Sequence, residues 1–186
     1  MDRYLDILIL PDPEFPPHQL MDALFAKLHR CLVRLQADDI GVSFPEVDRA
    51  KRQLGRVLRL HSTEDSFARL MAEPWLTGMR DHIRINGVEA VPDQVQHRRV
   101  RRVQAKSNPE RIRRRQMKRH NWTEEEARRR IPDAAAQLLS LPFLSVQSTS
   151  SERRFRLFID HQEADGPAAG RFNAYGLSTA ATVPWF

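Results

Sequence analysis

The order of apolar segments in the first 90 residues is the feature that most constrains the fold. Residues 4–10 (YLDILIL) form a short apolar run that ends at a proline-rich turn, which is typical of a buried strand. Apolar residues then recur at helical or alternating spacing and predict, in order, a helix from Pro17 to about Gln36, strands at 41–44 and 55–60, a helix at about 65–71 and a strand at 82–85. This is the order of a ferredoxin-like sandwich (βαββαβ), in which two helices cover one face of an antiparallel sheet. The opposite face is left for a partner.

The rest of the chain predicts a second domain of α+β class. A boundary near residues 91–93 leads us to expect a ferredoxin-like domain at 1–94 and an α+β domain with an arginine-rich helix at 95–186. Asn108 is a favourable N-cap and Pro109 suits the first helical position, so the helix is expected at about 108–120. The other predicted elements are an extended segment at 99–106, a helix after the capping box Thr123–Glu126, and strands at 141–147, 154–159 and 171–176.

Positive charge is concentrated in residues 97–130. That segment holds fourteen lysines and arginines against four glutamates, a net charge of +10, whereas the remaining chain holds sixteen basic and twenty acidic residues, a net charge of −4. A solvated helix face accounts for most short charge runs. So many like charges repel one another, however, and an acidic body with one basic segment favours binding to a polyanion.

The basic residues of the predicted helix form one continuous stripe. They follow the spacing i, i+3, i+4, i+7 and i+8 and are Arg111, Arg114, Arg115, Lys118 and Arg119. Only Ile112 and Met117 are clearly apolar, and they lie five residues apart, so they make a poor core face. The helix is therefore expected to need an external partner, and the stripe suits phosphates on both sides of a groove.

Two polar residues precede the helix on the extended segment. Arg102 and Gln104 are two positions apart, so their side chains are expected on the same side of the strand. Arginine can bind guanine and glutamine can bind adenine, each through two hydrogen bonds. The alternative is that both are simply exposed polar residues.

Composition and spacing disfavour several classes of protein. A single cysteine, Cys31, excludes an intramolecular disulfide framework and a CxxC zinc site. The seven histidines form no HxH or HxxxH pair, and the seven glycines form no phosphate-binding loop. No apolar run approaches the roughly 20 residues of a membrane span, and the first residues do not have the pattern of a signal peptide. We therefore expect a cytoplasmic protein that has no membrane partner, no cofactor and no metal.

The central motif RVQAKSNPERIRRRQMKRH, followed by TEEEARRRIPD, resembles the CRISPR precursor-RNA endoribonuclease of the type I-F system. Shorter stretches resemble the same family, and they are MDRYLDI at the start, PDPEFPP, GVSFP, PWL, FRLFI, YGLS and the terminal VPWF. The resemblance therefore covers nearly all 186 residues. It implies a ferredoxin-like domain and a second domain whose arginine-rich helix enters the major groove of a CRISPR repeat hairpin RNA. It also implies a monomer when free, which stays bound to its product and joins the other subunits of a type I-F surveillance complex.

The resemblance also implies RNA contacts at individual positions. Arg102 and Gln104 match residues that recognise a guanine and an adenine near the base of the stem. Phe155 matches an aromatic residue that stacks beneath the last base pair, an interaction worth about 1–3 kcal/mol; from spacing alone it would be a core residue. Contacts with phosphates and the groove are expected from Lys106, Arg111, Arg114, Arg115, Lys118, Arg119 and His120.

Members of that family cleave RNA without a metal. The ribose 2′-OH attacks the adjacent phosphate, and the products carry a 2′,3′-cyclic phosphate (or 3′-phosphate) and a 5′-OH. The resemblance implies that His29 is the general base, that Ser148 holds the 2′-OH and that Tyr175 positions the imidazole. Residues Thr179–Thr182 depart from the family pattern, which has a lysine and a glycine pair there, so no contact is assigned to that loop.

The residues by themselves leave other roles open. His29 borders the apolar face of its helix, where a histidine is more often structural. Ser148 lies among neighbouring serines that could form a turn, and Tyr175 could pack in a strand. The main alternative function is a hairpin-binding protein that does not cut RNA. A DNA-binding regulator is a weaker alternative, because no convincing helix-turn-helix is present.

Overall fold

A computed structural model describes residues 1–104, 109–132, 140–147 and 154–186. Two units can be distinguished, Met1–Arg102 with Leu141–Phe186, and Val103–Ser140. The described elements are, in chain order, β1 (Arg3–Ile9), α1 (Pro17–Leu35), β2 (Gly41–Ser43), β3 (Val57–Ser62), α2 (Glu64–Met71), a 3-10 turn (Arg80–His82), β4 (Ile83–Ile85), β5 (Glu89–Ala90), β6 (Gln96–Val103), α3 (Pro109–His120), α4 (Glu124–Arg130), β7 (Phe143–Gln147), β8 (Arg154–Ala164) and β9 (Val183–Trp185). The expected domain boundary at residues 94–95 stays a prediction.

The first sheet of the larger unit is antiparallel and has the strand order β2-β3-β1-β4, with β5 also paired to β1. Side chains alternate between the faces of a strand, so Leu5, Ile7 and Ile9 of β1 are all buried on one side. Leu5 lies opposite Leu60 of β3, and Ile7 lies opposite Leu58. These pairs form one wall of the core, which α1 and α2 cover.

Helix α1 places one edge of its apolar face near the candidate site. Pro17 is the first helical residue, where its missing N–H costs nothing, and Gln36 ends the helix in the left-handed conformation with φ of 51°. The residues buried by α1 recur at helical spacing: Leu20, Met21, Leu24, Phe25, Leu28, Cys31 and Leu32. His29 follows Leu28 at the border of this face and is half-buried.

The second sheet of the larger unit has the order β7-β8-β6-β9 and shares its core with the first. Leu144 pairs with Leu157 across β7 and β8, and both are buried. The amide N–H of Ser145 donates to the Asp22 carboxylate of α1 over 2.9 Å, which fixes β7 against that helix. The predicted strand at 171–176 is wrong, because backbone groups there form a turn and a loop instead of a ladder.

The two helices of the smaller unit are held together by polar and aromatic groups. Arg113 is 9 % exposed, and its Nε donates to the carbonyl oxygen of Ile131 over 2.7 Å. Trp122 stacks on His120 at 5.1 Å between ring centroids, and the Arg130 guanidinium lies 4.4 Å from the Trp122 ring. The predicted capping box is confirmed, since the Thr123 hydroxyl accepts from the Glu126 N–H and the Glu126 carboxylate accepts from the Thr123 N–H.

Two antiparallel sheets and separate helices make this a mixed α/β chain, which is consistent with the predicted α+β class. Over the described ranges, none of the helices is both long enough and apolar enough to cross a membrane.

Candidate active site and basic helix

His29 has one ring nitrogen bound to the backbone, and among the described residues no hydrogen-bond partner is found for the other. Its Nδ1 lies 2.7 Å from the carbonyl oxygen of Ala174. A carbonyl oxygen can only accept, so Nδ1 carries the hydrogen and donates it. In the neutral imidazole, Nε2 then keeps its lone pair. The ring is therefore in the tautomer that can take up a proton at Nε2.

The ring of Tyr175 lies flat against the His29 imidazole. Their centroids are 4.1 Å apart and the ring planes differ by 13°. The Tyr175 ring is also parallel to the ring of Phe25, with 6.2 Å between their centroids. The contact between Tyr175 and His29 is thus a face-to-face stack, which restrains the imidazole in a second direction.

A hydrogen-bonded turn presents both Ala174 and Tyr175 to His29. The Asn173 side-chain oxygen accepts from the N–H groups of Tyr175 (2.8 Å) and Leu177 (3.3 Å). Gly176 has φ of +69°, and a Cβ atom added there would lie 2.4 Å from Cγ2 of Val42. The Val42 N–H also donates to the Gly176 carbonyl oxygen over 2.9 Å, which fixes the turn to β2.

Sequence analysis did not identify Asn173, Ala174 or Gly176 as functional. The available signal was the spacing of asparagine and glycine in NAYG, which is typical of a turn. A strand was predicted over these residues instead. Nothing local indicated that the carbonyl oxygen of this turn would reach His29.

Arg102 lies near the end of β6, close to two aromatic rings. Its guanidinium is 5.5 Å from the centroid of Phe155 and 6.0 Å from that of Tyr175. Four of the predicted site residues of the larger unit thus form a chain of contacts, which runs from His29 to Tyr175, then to Arg102 and then to Phe155. Phe155 is half-buried, so part of its ring can be reached by a ligand.

Three other predicted site residues are not among the described members of this group of contacts. Gln104 is exposed and follows the last residue of β6, so its expected alignment with Arg102 stays a prediction. Lys106 and Ser148, as well as the expected N-cap Asn108, lie outside the described residues.

The predicted stripe of α3 is exposed. The residues on it and at the helix end that face solvent are Arg111, Arg114, Arg115, Lys118, Arg119 and His120. Within the described part of the chain, no carboxylate pairs with Arg114, Arg115, Lys118 or Arg119. The adjacent Arg113 points the other way and is buried. One face of α3 thus holds concentrated positive charge, and four of its basic side chains have no carboxylate partner among the described residues.

Two further histidines of the larger unit are poor candidates for a base. Burial lowers the pKa of His61 to about 3 and, with nearby arginines, lowers that of His161 to about 3. His61 Nε2 lies 2.8 Å from the Ser43 hydroxyl, but neither side chain is exposed. A substrate cannot reach this pair. His29 is therefore the better placed of these three histidines.

The described residues offer no cluster of metal ligands. Among them, no group of three or more histidine, cysteine, aspartate or glutamate side chains is arranged to hold a metal ion.

A family model and two relatives of known name all point to the same protein family. The family model described as CRISPR-associated protein (Cas_Csy4) matches residues 4–186. A protein of Pseudomonas aeruginosa (strain UCBPP-PA14), named CRISPR-associated endonuclease Cas6/Csy4, is 53% identical over 187 residues, covering 100% of both chains. A protein of Escherichia coli (strain UTI89 / UPEC) with the same name is 46% identical over 187 residues, again covering 100% of both. The chain therefore belongs to the Cas_Csy4 family of CRISPR-associated proteins.

Proposed function

We propose that this chain is an endoribonuclease that binds the stem-loop of a CRISPR repeat and cleaves the precursor RNA at the base of the hairpin. The names of its relatives support an endonuclease acting in a CRISPR system. The observation that carries the proposal is His29, whose Nδ1 donates to the Ala174 carbonyl oxygen and whose Nε2 is left as a base. A protein that only binds RNA has no need of such a group.

The proposed reaction is an attack within the RNA that needs no metal. His29 Nε2 removes the proton from the ribose 2′-OH, and the O2′ atom attacks the adjacent phosphorus. The bond from phosphorus to O5′ breaks and the departing O5′ takes up a proton from water, leaving a 2′,3′-cyclic phosphate (or, after hydrolysis, a 3′-phosphate) and a 5′-OH, while the proton held on His29 Nε2 is returned to solvent. Ser148 holds the 2′-OH in this proposal, and Tyr175 keeps the imidazole in place by stacking.

The RNA is proposed to contact two sets of residues. Near the cleavage site, Phe155 stacks on the last base pair while Arg102 and Gln104 recognise bases. The second set binds phosphates and the groove of the stem and consists of Lys106, Arg111, Arg114, Arg115, Lys118, Arg119 and His120. A helix with long arginine side chains suits RNA, since the A-form major groove is too deep and narrow for ordinary side chains.

Finer structural and assembly features are part of the same proposal. The element order through β4 and the sheet order β2-β3-β1-β4 support a ferredoxin-like domain at 1–94. Residues 95–186 form the RNA-hairpin-binding domain. The protein is a cytoplasmic monomer when free, stays bound to its cleaved product and joins other subunits of a type I-F surveillance complex.

The test is cleavage of a repeat hairpin in the presence of EDTA. One RNA is unmodified, and a matched RNA has a 2′-deoxyribose at the scissile nucleotide. We expect the first to be cut and the second to be bound but left intact. Tight binding without cutting of either RNA would show a hairpin-binding protein and remove the catalytic roles. Cutting of both would overturn the role of the 2′-OH.

A further inference from the structure

We infer that Asn173 is a positioning residue for the general base, because its side chain shapes the turn that directs the Ala174 carbonyl oxygen at His29. The inference rests on the proposed ribonuclease function. It adds a residue that acts through the backbone of its turn and so decides which nitrogen of His29 is free to react.

The first step of the argument is the turn itself. The Asn173 side-chain oxygen accepts two backbone N–H groups, those of Tyr175 and Leu177. Its own backbone donates to the Leu177 carbonyl oxygen and accepts from the Gly176 N–H, at 2.9 and 2.8 Å. Asparagine side chains that bond the backbone two residues on stabilise turns in this way. Four hydrogen bonds at Asn173 therefore set the path of residues 173–177.

The second step is the effect of that path on His29. Ala174 lies inside the turn, and its carbonyl oxygen is 2.7 Å from His29 Nδ1. Tyr175 is the next residue, and its ring covers one face of the same imidazole. The two contacts restrain different motions, since the hydrogen bond acts at the ring edge and the stack acts on the ring face. Both depend on the backbone conformation that Asn173 stabilises.

The third step is chemical. An imidazole in water exists as two tautomers, and only the form with hydrogen on Nδ1 leaves Nε2 as a base. A carbonyl oxygen at Nδ1 selects that form because it can accept a hydrogen bond but cannot donate one. In catalytic triads a carboxylate does the same for histidine, and loss of the correct tautomer greatly lowers the rate. Here the partner is a backbone carbonyl, so the residue that fixes the backbone takes over the orienting role.

The test uses the full chain with Asn173→Ala, which removes the acceptor, and Asn173→Asp, which keeps it. The matched control is Asp48→Ala, because Asp48 also accepts a backbone N–H (from Lys51, 3.0 Å) in an exposed turn, and the hydrogen bonds described for it do not involve the turn at residues 173–177. Three quantities are measured: the single-turnover cleavage rate, the dissociation constant of the uncleavable 2′-deoxy hairpin, and the imidazole ¹⁵N shifts of His29. The His29 signals are assigned through their absence in His29→Ala.

We expect Asn173→Ala to lower the cleavage rate about tenfold to hundredfold, below the full loss of a general base. Hairpin affinity should stay unchanged, and the ¹⁵N shifts should move away from the Nδ1–H tautomer. Asn173→Asp and Asp48→Ala should behave like the wild-type protein in all three measurements. If Asn173→Ala does not fold, Asn173→Ser replaces it, since a serine hydroxyl makes the same turn more weakly and should give intermediate values.

Three results would overturn the inference. The first is an alanine variant with wild-type ¹⁵N shifts and wild-type rate. The second is an equal loss of rate and hairpin affinity, which would show a general structural defect. The third is an aspartate variant as slow as the alanine variant. If the wild-type chain binds RNA without cutting it, the proposed function fails instead, while the ¹⁵N shifts still show whether Asn173 sets the tautomer of His29.

Discussion

At the scale of single residues, the two nitrogens of His29 have different roles, and this difference can be tested. We predict that His29→Ala lowers the single-turnover cleavage rate by about 10²–10⁴-fold without weakening hairpin binding, because only the proton acceptor is lost. The matched control is His18→Ala, which removes an exposed histidine from the same helix. A parallel loss of binding in His29→Ala, or an equal loss of rate in His18→Ala, would contradict the assigned role.

Tyr175 allows the stacked ring to be separated from the hydroxyl. Tyr175→Phe keeps the ring that lies 4.1 Å from His29, whereas Tyr175→Leu removes it. Aromatic pairs contribute about 0.5–1.5 kcal/mol, so we expect Tyr175→Leu to cleave about two- to tenfold more slowly and Tyr175→Phe to match the wild-type rate. Single-turnover kinetics on the same hairpin would measure both. A phenylalanine variant as slow as the leucine variant would mean that the hydroxyl itself acts.

At the scale of elements, neighbouring arginines of α3 have opposite roles. Arg115 is exposed, while Arg113 is buried and donates to the Ile131 carbonyl oxygen. We predict that Arg115→Ala weakens hairpin binding without changing the free energy of unfolding. The slope of log binding constant against log salt concentration should become less steep by about one. Arg113→Ala should instead destabilise the packing of α3 on α4 by about 1–3 kcal/mol.

These two variants are compared by salt-dependent binding and by urea unfolding. Arg119→Ala serves as a second exposed variant and should resemble Arg115→Ala. Loss of stability in the exposed variants, or a reduced salt slope in Arg113→Ala with normal stability, would contradict this division of roles along the helix.

At the scale of the whole molecule, the larger unit contains two histidines that must stay neutral. Burial lowers the pKa of His61 and of His161 to about 3, below the usual value near 6.5. Below pH 6.5 these histidines take up protons in the unfolded chain but not in the folded chain. The stability that the two neutral histidines contribute is therefore complete above pH 6.5 and is lost as the pH falls toward 3. Each histidine changes the free energy of unfolding by up to about 1.4 kcal/mol per pH unit in this window.

Urea unfolding at several pH values between 7.5 and 4.5 measures this effect. We expect His61→Leu to be less stable at neutral pH, because the bond with Ser43 is lost, and to show a smaller decline in stability on acidification. An undiminished decline in that variant would mean that His61 is not the group responsible.

Much of the fold and part of the site could be predicted from local pattern. The period-two burial of Leu5, Ile7 and Ile9 and the capping box at Thr123 both follow from residues close together in the chain. The strand expected at 171–176 was wrong because the local pattern did not show what these residues contact. They form a turn between Asn173 and Gly176, where a Cβ atom on Gly176 would clash with Val42, which is far away in sequence.

The sequence by itself determined the order of the main elements from β1 to β4, the exposed basic stripe of α3 and, through resemblance, the family to which the chain belongs. These features depend on spacing and charge over short stretches, and residues close together in the chain are enough to specify them. Tertiary structure alone decided that Arg113 is buried beside exposed arginines, and that His29 meets a carbonyl oxygen 145 positions away. The free nitrogen of the base is a consequence of that contact, since a tautomer is selected by the atom that lies opposite the ring and not by the neighbours of the residue in the chain.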